Sequence, residues 1–469
     1  MGNKKSGPDV FGKALEDTLA RSENEGASSS TRSLSRTAIL EAYHELEKRI
    51  KRPFACGGTI DITNKQESSP AAKKQKTDAS PGQASPPVNL FWATEAESTA
   101  QKLVLPYEST SALQHLVKEC VPATFGRGEA DVLDPEYRRA GKMDPNNFAT
   151  SFHPADFGII ENVERVLLPS INTEKQNSLW FRKLRAELYN LNVYSGPSGL
   201  FRKHVDTPRS ESQIGSLVVC LPSKFKGGKF TVQHSGQHIE FDWSTLSDAA
   251  IQWAAFYSDC EHEIETVTEG ERLTLTYNLY VTEPLDVFAA PTNIIQPKSL
   301  PLYGFLEGLI AEPAFMKLGG VLGVYCSHAY PHSSEHASDM LPIGLKGADL
   351  VVYSVLESLG MKVKVLPVLK HGERGGEKIV GKKLWGSRME DREVDEDMGD
   401  DELDGLLDSA WKAYRIKGIT WISNPKHSEL ALTYVAYGNQ ASLGTVYSYA
   451  AILAIIPPFD QRSGSAKSS

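Results

Sequence analysis

The sequence predicts a mainly β fold with flanking helices: an antiparallel sandwich or barrel of jelly-roll type, followed by an additional α+β carboxy-terminal region. Three observations predict it. Runs at 188–194, 216–221, 228–233, 250–257 and 272–281 are rich in β-branched and aromatic residues and are separated by Gly, Pro, Ser and Asp clusters at near-regular spacing, the signature of many short strands in one sandwich or barrel. Apolar residues at helical spacing occur only outside that block, over 111–120, 157–168 and 175–187 before it and over 302–316 and 349–359 after it. Beyond 284, short apolar runs at 321–325, 363–368, 430–437 and 446–456 share the chain with those two later helices, an α+β pattern.

Taken in order, residues 1–33 are Ser-, Gly-, Glu- and Lys-rich with few apolar groups, a composition expected to stay disordered because it buries too little to offset its ordering entropy. Within 34–62, Ile39, Tyr43, Leu46 and Ile50 recur every three or four residues and predict one amphipathic helix, with a short strand over 54–62. Residues 63–87 read as a linker carrying Lys73, Lys74 and Lys76, a cluster that matches a short nuclear address but more commonly is solvated charge. Residues 88–185 form a helical and strand support, in which 175–187 reads as a helix with Leu179, Trp180 and Leu184 inward. Residues 186–284 are the β core, 285–458 the α+β region with an acidic loop at 388–408, and 459–469 a tail.

Charge and cysteine content exclude several classes. The net charge of -9 is carried by one stretch, since residues 390–404 hold ten acids against the single base Arg392. The remainder is neutral, so the broad basic field that drives nucleic-acid binding is missing and no nucleic-acid partner is expected. Neither a long apolar run nor a hydrophobic leader is present, so no membrane association or secretion is expected. Five widely spaced cysteines without a C-x-x-C pair suggest reduced thiols in an intracellular protein, cytoplasmic or nuclear. Oligomeric state is not legible.

The chemistry centres on 188–206, where an aromatic strand (Tyr189, Leu191, Val193) enters a Gly/Pro/Ser turn at 195–199 and returns to His204-Val205-Asp206. Residues two apart on an extended chain face the same side, so His204 and Asp206 can offer a nitrogen and a carboxylate oxygen to one ion. A second, distant His would complete the 2-His-1-carboxylate set that leaves three positions open on non-haem Fe(II). The triplet alone is weak: roughly 1.5 copies are expected by chance from 12 His and 59 acids, and four occur, at His204, His238, His371 and His427. Only His204 follows an aromatic strand and has a suitable partner, His262, with Arg272 ten residues further on and Thr274 on the same side of that strand. Arginine at that place can hold bidentately the far carboxylate of a co-substrate whose keto-acid end chelates the metal. His234 and His238 read as loop histidines, His328, His332 and His336 as a polar loop, and Cys260 as a small buried apolar group.

These residues resemble the catalytic domain of the prolyl 4-hydroxylase-type Fe(II)/2-oxoglutarate dioxygenases, whose pattern is Tyr-x-x-Gly, H-x-D, a Gly-Gly strand, then His with Lys or Arg ten residues later. Here it reads Tyr194-Ser195-Gly196, with the glycine one position early, then His204-Val205-Asp206, Gly227-Gly228, His262 and Arg272. The segments ATFGRG from Ala123, PFACGGTID and YGNQAS from Tyr437 extend the resemblance to long fungal members. The resemblance implies a double-stranded β-helix core, Fe(II) held by His204, Asp206 and His262, and 2-oxoglutarate held by Arg272 with Tyr194 and Thr274 assisting. It also implies O2 as oxidant, admits ascorbate as accessory reductant, and favours a prolyl residue of a protein or peptide as substrate. A small-molecule substrate, and a non-catalytic scaffold on a retired dioxygenase fold, are the alternatives; all required residues being present opposes the second.

Overall fold

A computed structural model describes residues 53–62, 85–93, 100–127, 130–173, 182–282, 294–332, 340–369 and 446–462, with shorter pieces elsewhere. The helix expected over 35–50, the Lys cluster, the acidic run, His371 and His427 lie outside the described residues.

The core is built on one bent strand. We number the strands used below β1 (Ala55–Asp61), β2 (Lys183–Ser195), β3 (Gly199–His204), β4 (Gln213–Cys220), β5 (Phe225–Gly227), β6 (Phe230–His234), β7 (Gln237–Phe241), β8 (Ala250–Tyr257) and β9 (Glu261–Thr282). The second half of β9 lies inside a major antiparallel sheet of order β1-β8-β4-β9-β2, continued by Gly141–Met143 and Val121–Pro122. Its first half lies between β3 and β6, and β7 and Arg138–Arg139 extend this minor sheet at either side. β5 pairs with β9 where it turns from one sheet to the other. Gly270 makes that turn possible: it sits at φ +74°, and a Cβ there would stand 2.1 Å from the Lys224 carbonyl oxygen. Two sheets sharing a bent strand, with helices outside, are the jelly-roll core with α+β flanks that the strand pattern indicates, although the barrel is not closed.

The pleat sends alternate side chains to opposite faces of the major sheet, and both faces are buried. Leu191, Val193, Leu217, Val219, Leu273, Leu275, Tyr277 and Leu279 are buried in one apolar cluster with the helices. The helix α1 (Thr110–Glu119) starts on the Ser109 hydroxyl, which accepts the Ser111 N–H. The helix α2 (Ile159–Leu167) buries Ile159, Ile160, Val163 and Leu167 and packs on β1, β2 and β8. The opposite face of the major sheet carries polar side chains, and it forms the site.

The carboxy-terminal region is a second sheet centred on β12 (Val446–Ile456), which runs between β10 (Gly320–His332) and β11 (Lys362–Leu369). Ile452, Ala454 and Ile456 face the helices α3 (Pro301–Ala311) and α4 (Gly347–Ser358), while Ala451, Leu453 and Ile455 form the other face. Leu15 is buried on that second face, with Phe11 packed beside it, so part of the stretch expected to be a disordered tail is ordered on the sheet. Its apolar residues are too few to register as a pattern, and only the exposed sheet face gives them a partner.

A second expectation is corrected at 175–187. From Lys183 on, this predicted helix is the start of β2, with Leu184 opposite Val281 and Ala186 opposite Leu279. The ladder offered by β9 overrides the local periodicity, as tertiary context commonly does. No helix among the described residues is long and apolar enough to cross a membrane.

Candidate metal and co-substrate site

His204 ends β3, and its register partner across the ladder is His262 near the start of β9. Asp206 follows two residues later, and one ligand atom from each of His204, Asp206 and His262 lies within 4.8 Å of the others. All three side chains are buried. The structure thus brings together the three residues singled out in the sequence, with the second His on the adjacent strand of the same sheet. Asp206 Oδ1 is 3.7 Å from His262 Nε2.

Hydrogen bonds fix which atoms face the centre. His204 Nδ1 lies 2.8 Å from the Arg202 carbonyl oxygen and His262 Nδ1 lies 3.1 Å from that of Cys260. A carbonyl only accepts, so each Nδ1 carries its proton and each Nε2 presents a lone pair in the neutral ring. Burial, with His262 alongside, pushes the His204 pKa well below the usual imidazole range and holds the ring neutral, the form that binds a metal. Phe201 stacks on His204 with centroids 3.5 Å apart, and Phe256 lies against His262 at 4.5 Å, so both rings are oriented by packing as well.

Asp206 is held at both oxygens. Ser216 Oγ donates to Oδ2, and Asn439 Nδ2 donates to Oδ1 at 2.7 Å. The Tyr447 hydroxyl donates to the Asp206 backbone carbonyl at 3.1 Å. Each carboxylate oxygen has two lone pairs, so one such bond per oxygen leaves capacity for a cation.

Ten residues along β9, Arg272 stands on the polar face of the major sheet directly across from Tyr194. It is 0% exposed, and none of its three guanidinium nitrogens has a hydrogen-bond partner among the described residues. Its Cζ lies 5.6 Å from the Tyr194 ring centroid, 5.1 Å from that of Trp243 and 6.0 Å from that of Phe225. Burial lowers its pKa from the ordinary arginine value. Gly228, at φ +65°, packs over it: a Cβ there would be 2.7 Å from Val267 Cγ2 and 3.1 Å from Arg272 Cδ. Thr274 is buried on the same face, between Asn192 and Cys220 in register.

Several residues on this face escaped the sequence reading. Arg138 sits 4.3 Å over the Phe201 ring and donates to Asn192 Oδ1 at 3.0 Å, to the Thr124 carbonyl at 2.6 Å and to the Asn439 carbonyl at 3.3 Å. Asn192 donates in turn to Asn190 Oδ1 and Thr276 Oγ1. The only available signal was polar residues at alternate positions of 190–194 within an apolar strand.

A second acid and histidine cluster corrects the reading of His234 and His328 as loop residues. His234 ends β6, His328 lies buried in β10, and their rings stack with centroids 4.2 Å apart. Ligand atoms of His234, Asp259 and His328 also come within 4.8 Å. Here, however, Lys346 Nζ already occupies Asp259 Oδ1 at 2.7 Å, and His328 Nδ1 and the Ala329 N–H donate to Oδ2 at 3.0 Å each. An ammonium in that place makes the cluster an ion-paired joint, not a cation cage. His238 is on strand β7, exposed.

Against this geometry, residues 189–280 match the family model described as the 2OG-Fe(II) oxygenase superfamily. That segment is similar to a 2OG-Fe(II) oxygenase domain and is called the oxygenase domain below. Solved structures similar to the chain include a prolyl-4-hydroxylase from Pseudomonas putida, 16% identical over 36% of this chain and 82% of that one, TM-score 0.23. A prolyl hydroxylase from Trichoplax adhaerens, in complex with a hypoxia inducible factor peptide fragment, is 13% identical over 36% and 74%, TM-score 0.22. A 2OG-Fe(II) oxygenase-family oxidoreductase from Burkholderia pseudomallei is 20% identical over 20% and 45%, TM-score 0.17. No curated protein matches the chain. Similarity to this superfamily implies Fe(II), 2-oxoglutarate and O2. The oxygenase domain fits them: two imidazoles with lone pairs on Nε2 and a carboxylate converge on one point, and a buried guanidinium has no hydrogen-bond partner among the described residues.

Proposed function

We propose that the protein is an Fe(II)- and 2-oxoglutarate-dependent dioxygenase that hydroxylates its substrate with release of succinate and CO2. The observation that carries the proposal is Arg272: a wholly buried guanidinium without a hydrogen-bond partner costs several kcal/mol unless an anion is meant to reach it. In this reading His204, Asp206 and His262 hold the metal, and Arg272 holds the distal carboxylate of 2-oxoglutarate, with Tyr194 and Thr274 beside it. Fe(II) with 2-oxoglutarate and O2 supplies the oxidising chemistry when bound. The protein supplies donors fixed before binding, polar side chains on the buried face of the major sheet, and the phenyl rings that keep both histidines in place.

For the substrate we favour a prolyl residue in a protein, supported by the motif resemblance and by the ordered regions on both sides of the oxygenase domain, which are larger than a metabolite pocket needs. The test is succinate release by the full chain with Fe(II), 2-oxoglutarate and O2, against a peptide library and a metabolite library. Stimulation by proline-containing peptides, lost in His204→Ala and His262→Ala, is the expected result. Equal stimulation by small molecules removes the protein-hydroxylase reading, and succinate release unaffected by either substitution removes the assigned metal site.

A further inference from the structure

Asp206 is not held by the oxygenase domain alone. The short segment Gly438–Asn439 from the carboxy-terminal region lies across the loop that carries it. Gly438 bridges in parallel to Val205 and exchanges two backbone hydrogen bonds of 2.9 Å with Gly126. Asn439 then makes three contacts around the site. Its Oδ1 accepts the Thr207 N–H at 3.1 Å, its Nδ2 donates to Asp206 Oδ1 at 2.7 Å, and its carbonyl accepts from Arg138 Nη1. The Thr207 contact settles which end of the amide faces Asp206, because a backbone N–H needs the oxygen and so turns the NH2 group to the carboxylate. Asp206 Oδ1 is also the carboxylate oxygen found 3.7 Å from His262 Nε2, and thus the one on the side where the ligand atoms converge.

We infer that Asn439 is a positioning residue for Asp206, so that the carboxy-terminal region, more than 200 residues away in sequence, sets the metal affinity of the oxygenase domain. The inference rests on the assignment of His204, Asp206 and His262 as metal ligands. The physical basis is orientation. Asp206 lies past the end of β3, where the Gly438 bridge to Val205 and the Tyr447 hydroxyl on its carbonyl hold the backbone, and among the described residues its side chain is directed by Ser216 Oγ and Asn439 Nδ2. Removing a hydrogen bond to a ligating carboxylate commonly weakens metal affinity by about 10- to 100-fold.

The test uses the full chain freed of metal. Wild type, Asn439→Ala, Asn439→Gln and His262→Ala are titrated with Co(II), read by calorimetry and by the visible Co(II) absorption, with a melting curve for each. The expected outcome for Asn439→Ala is a Co(II) affinity about 10- to 100-fold weaker and an altered spectrum, with melting shifted by no more than a few degrees. Asn439→Gln keeps the amide on a side chain one methylene longer and should fall between Ala and wild type. Wild-type affinity and spectrum in both Asn439 variants overturn the inference. So does a loss in Asn439→Ala that comes with collapse of its melting transition while Asn439→Gln behaves as wild type, which means a purely structural role. Undiminished Co(II) binding in His262→Ala instead overturns the ligand assignment itself, a separate failure.

Discussion

Arg272 and Gly228 show how much of the site rests on single side chains. Arg272 carries a planar fork with the Tyr194, Trp243 and Phe225 rings around it, and lysine offers the same charge on one nitrogen. Arg272→Lys should therefore weaken 2-oxoglutarate binding roughly tenfold, the loss of about one charged hydrogen bond, while leaving Co(II) affinity unchanged. Calorimetry with each ligand separately checks this, and equal 2-oxoglutarate affinity in the two proteins removes the role. Gly228→Ala puts a Cβ at positive φ, against Val267 and the Arg272 stem. It should lower stability by about 1–3 kcal/mol and reduce 2-oxoglutarate affinity with it, whereas Gly236→Ala, with nothing within 4 Å of its Cβ, should leave that affinity unchanged.

At the scale of elements, two features set the architecture. β9 belongs to both sheets, so His262 on one side of its bend and Arg272 on the other are fixed relative to each other by a single strand. The turn between β8 and β9 carries Asp259, which is locked to Lys346 at the start of α4 and to His328 in β10. Burial opposes ionisation of Asp259, but Lys346 and His328 outweigh it and hold its carboxyl well below the usual range. Breaking such a buried pair leaves a bare charge and costs about 3–5 kcal/mol, while removing both partners costs much less. Lys346→Met should be strongly destabilising, and Asp259→Asn combined with Lys346→Met should recover most of the loss; an additive double variant contradicts the joint. Because the folded pKa of Asp259 is depressed, its contribution is complete above the unfolded carboxylate range near 3.8. The stability gap between wild type and Asp259→Asn should thus be flat at neutral and mildly acid pH and shrink only as pH falls below that range.

For the whole molecule, the bonds that join the carboxy-terminal region to the oxygenase domain include Asn439 on Asp206, Tyr447 on the Asp206 carbonyl, the Asp259–Lys346 joint and the Gly347 N–H on the Tyr257 hydroxyl. Arg182 adds another, donating to the carbonyls of Ile343 and Leu345 from beside β2. A chain truncated after Pro284 should therefore lose Co(II) affinity along with any substrate stimulation, and its melting transition should broaden and fall. Retention of wild-type Co(II) affinity by the truncated chain would show that the domain holds its metal ligands unaided.

The sequence by itself determined the β core, the helices around it and the triplet with its distant His and Arg. Those signals are local or strictly spaced: β-branched and aromatic runs over 250–257 and 272–281 set between turn residues, apolar residues at helical spacing over 111–120 and 157–168, and ligands at fixed separations along the strands. It failed where the deciding partner is remote. Residues 183–187 keep a helical pattern until β9 offers them a ladder, and Leu15 has no partner until β12 presents its second face. His328 reads as one of three histidines in a polar loop and becomes buried only because Asp259 and Lys346 meet it from two other elements. Asn439 carries no local signal at all. What it does depends on a segment folding back over 200 positions to reach one carboxylate oxygen, and only the tertiary structure decides that, because hydrogen bonds across such distances leave no periodicity in the chain.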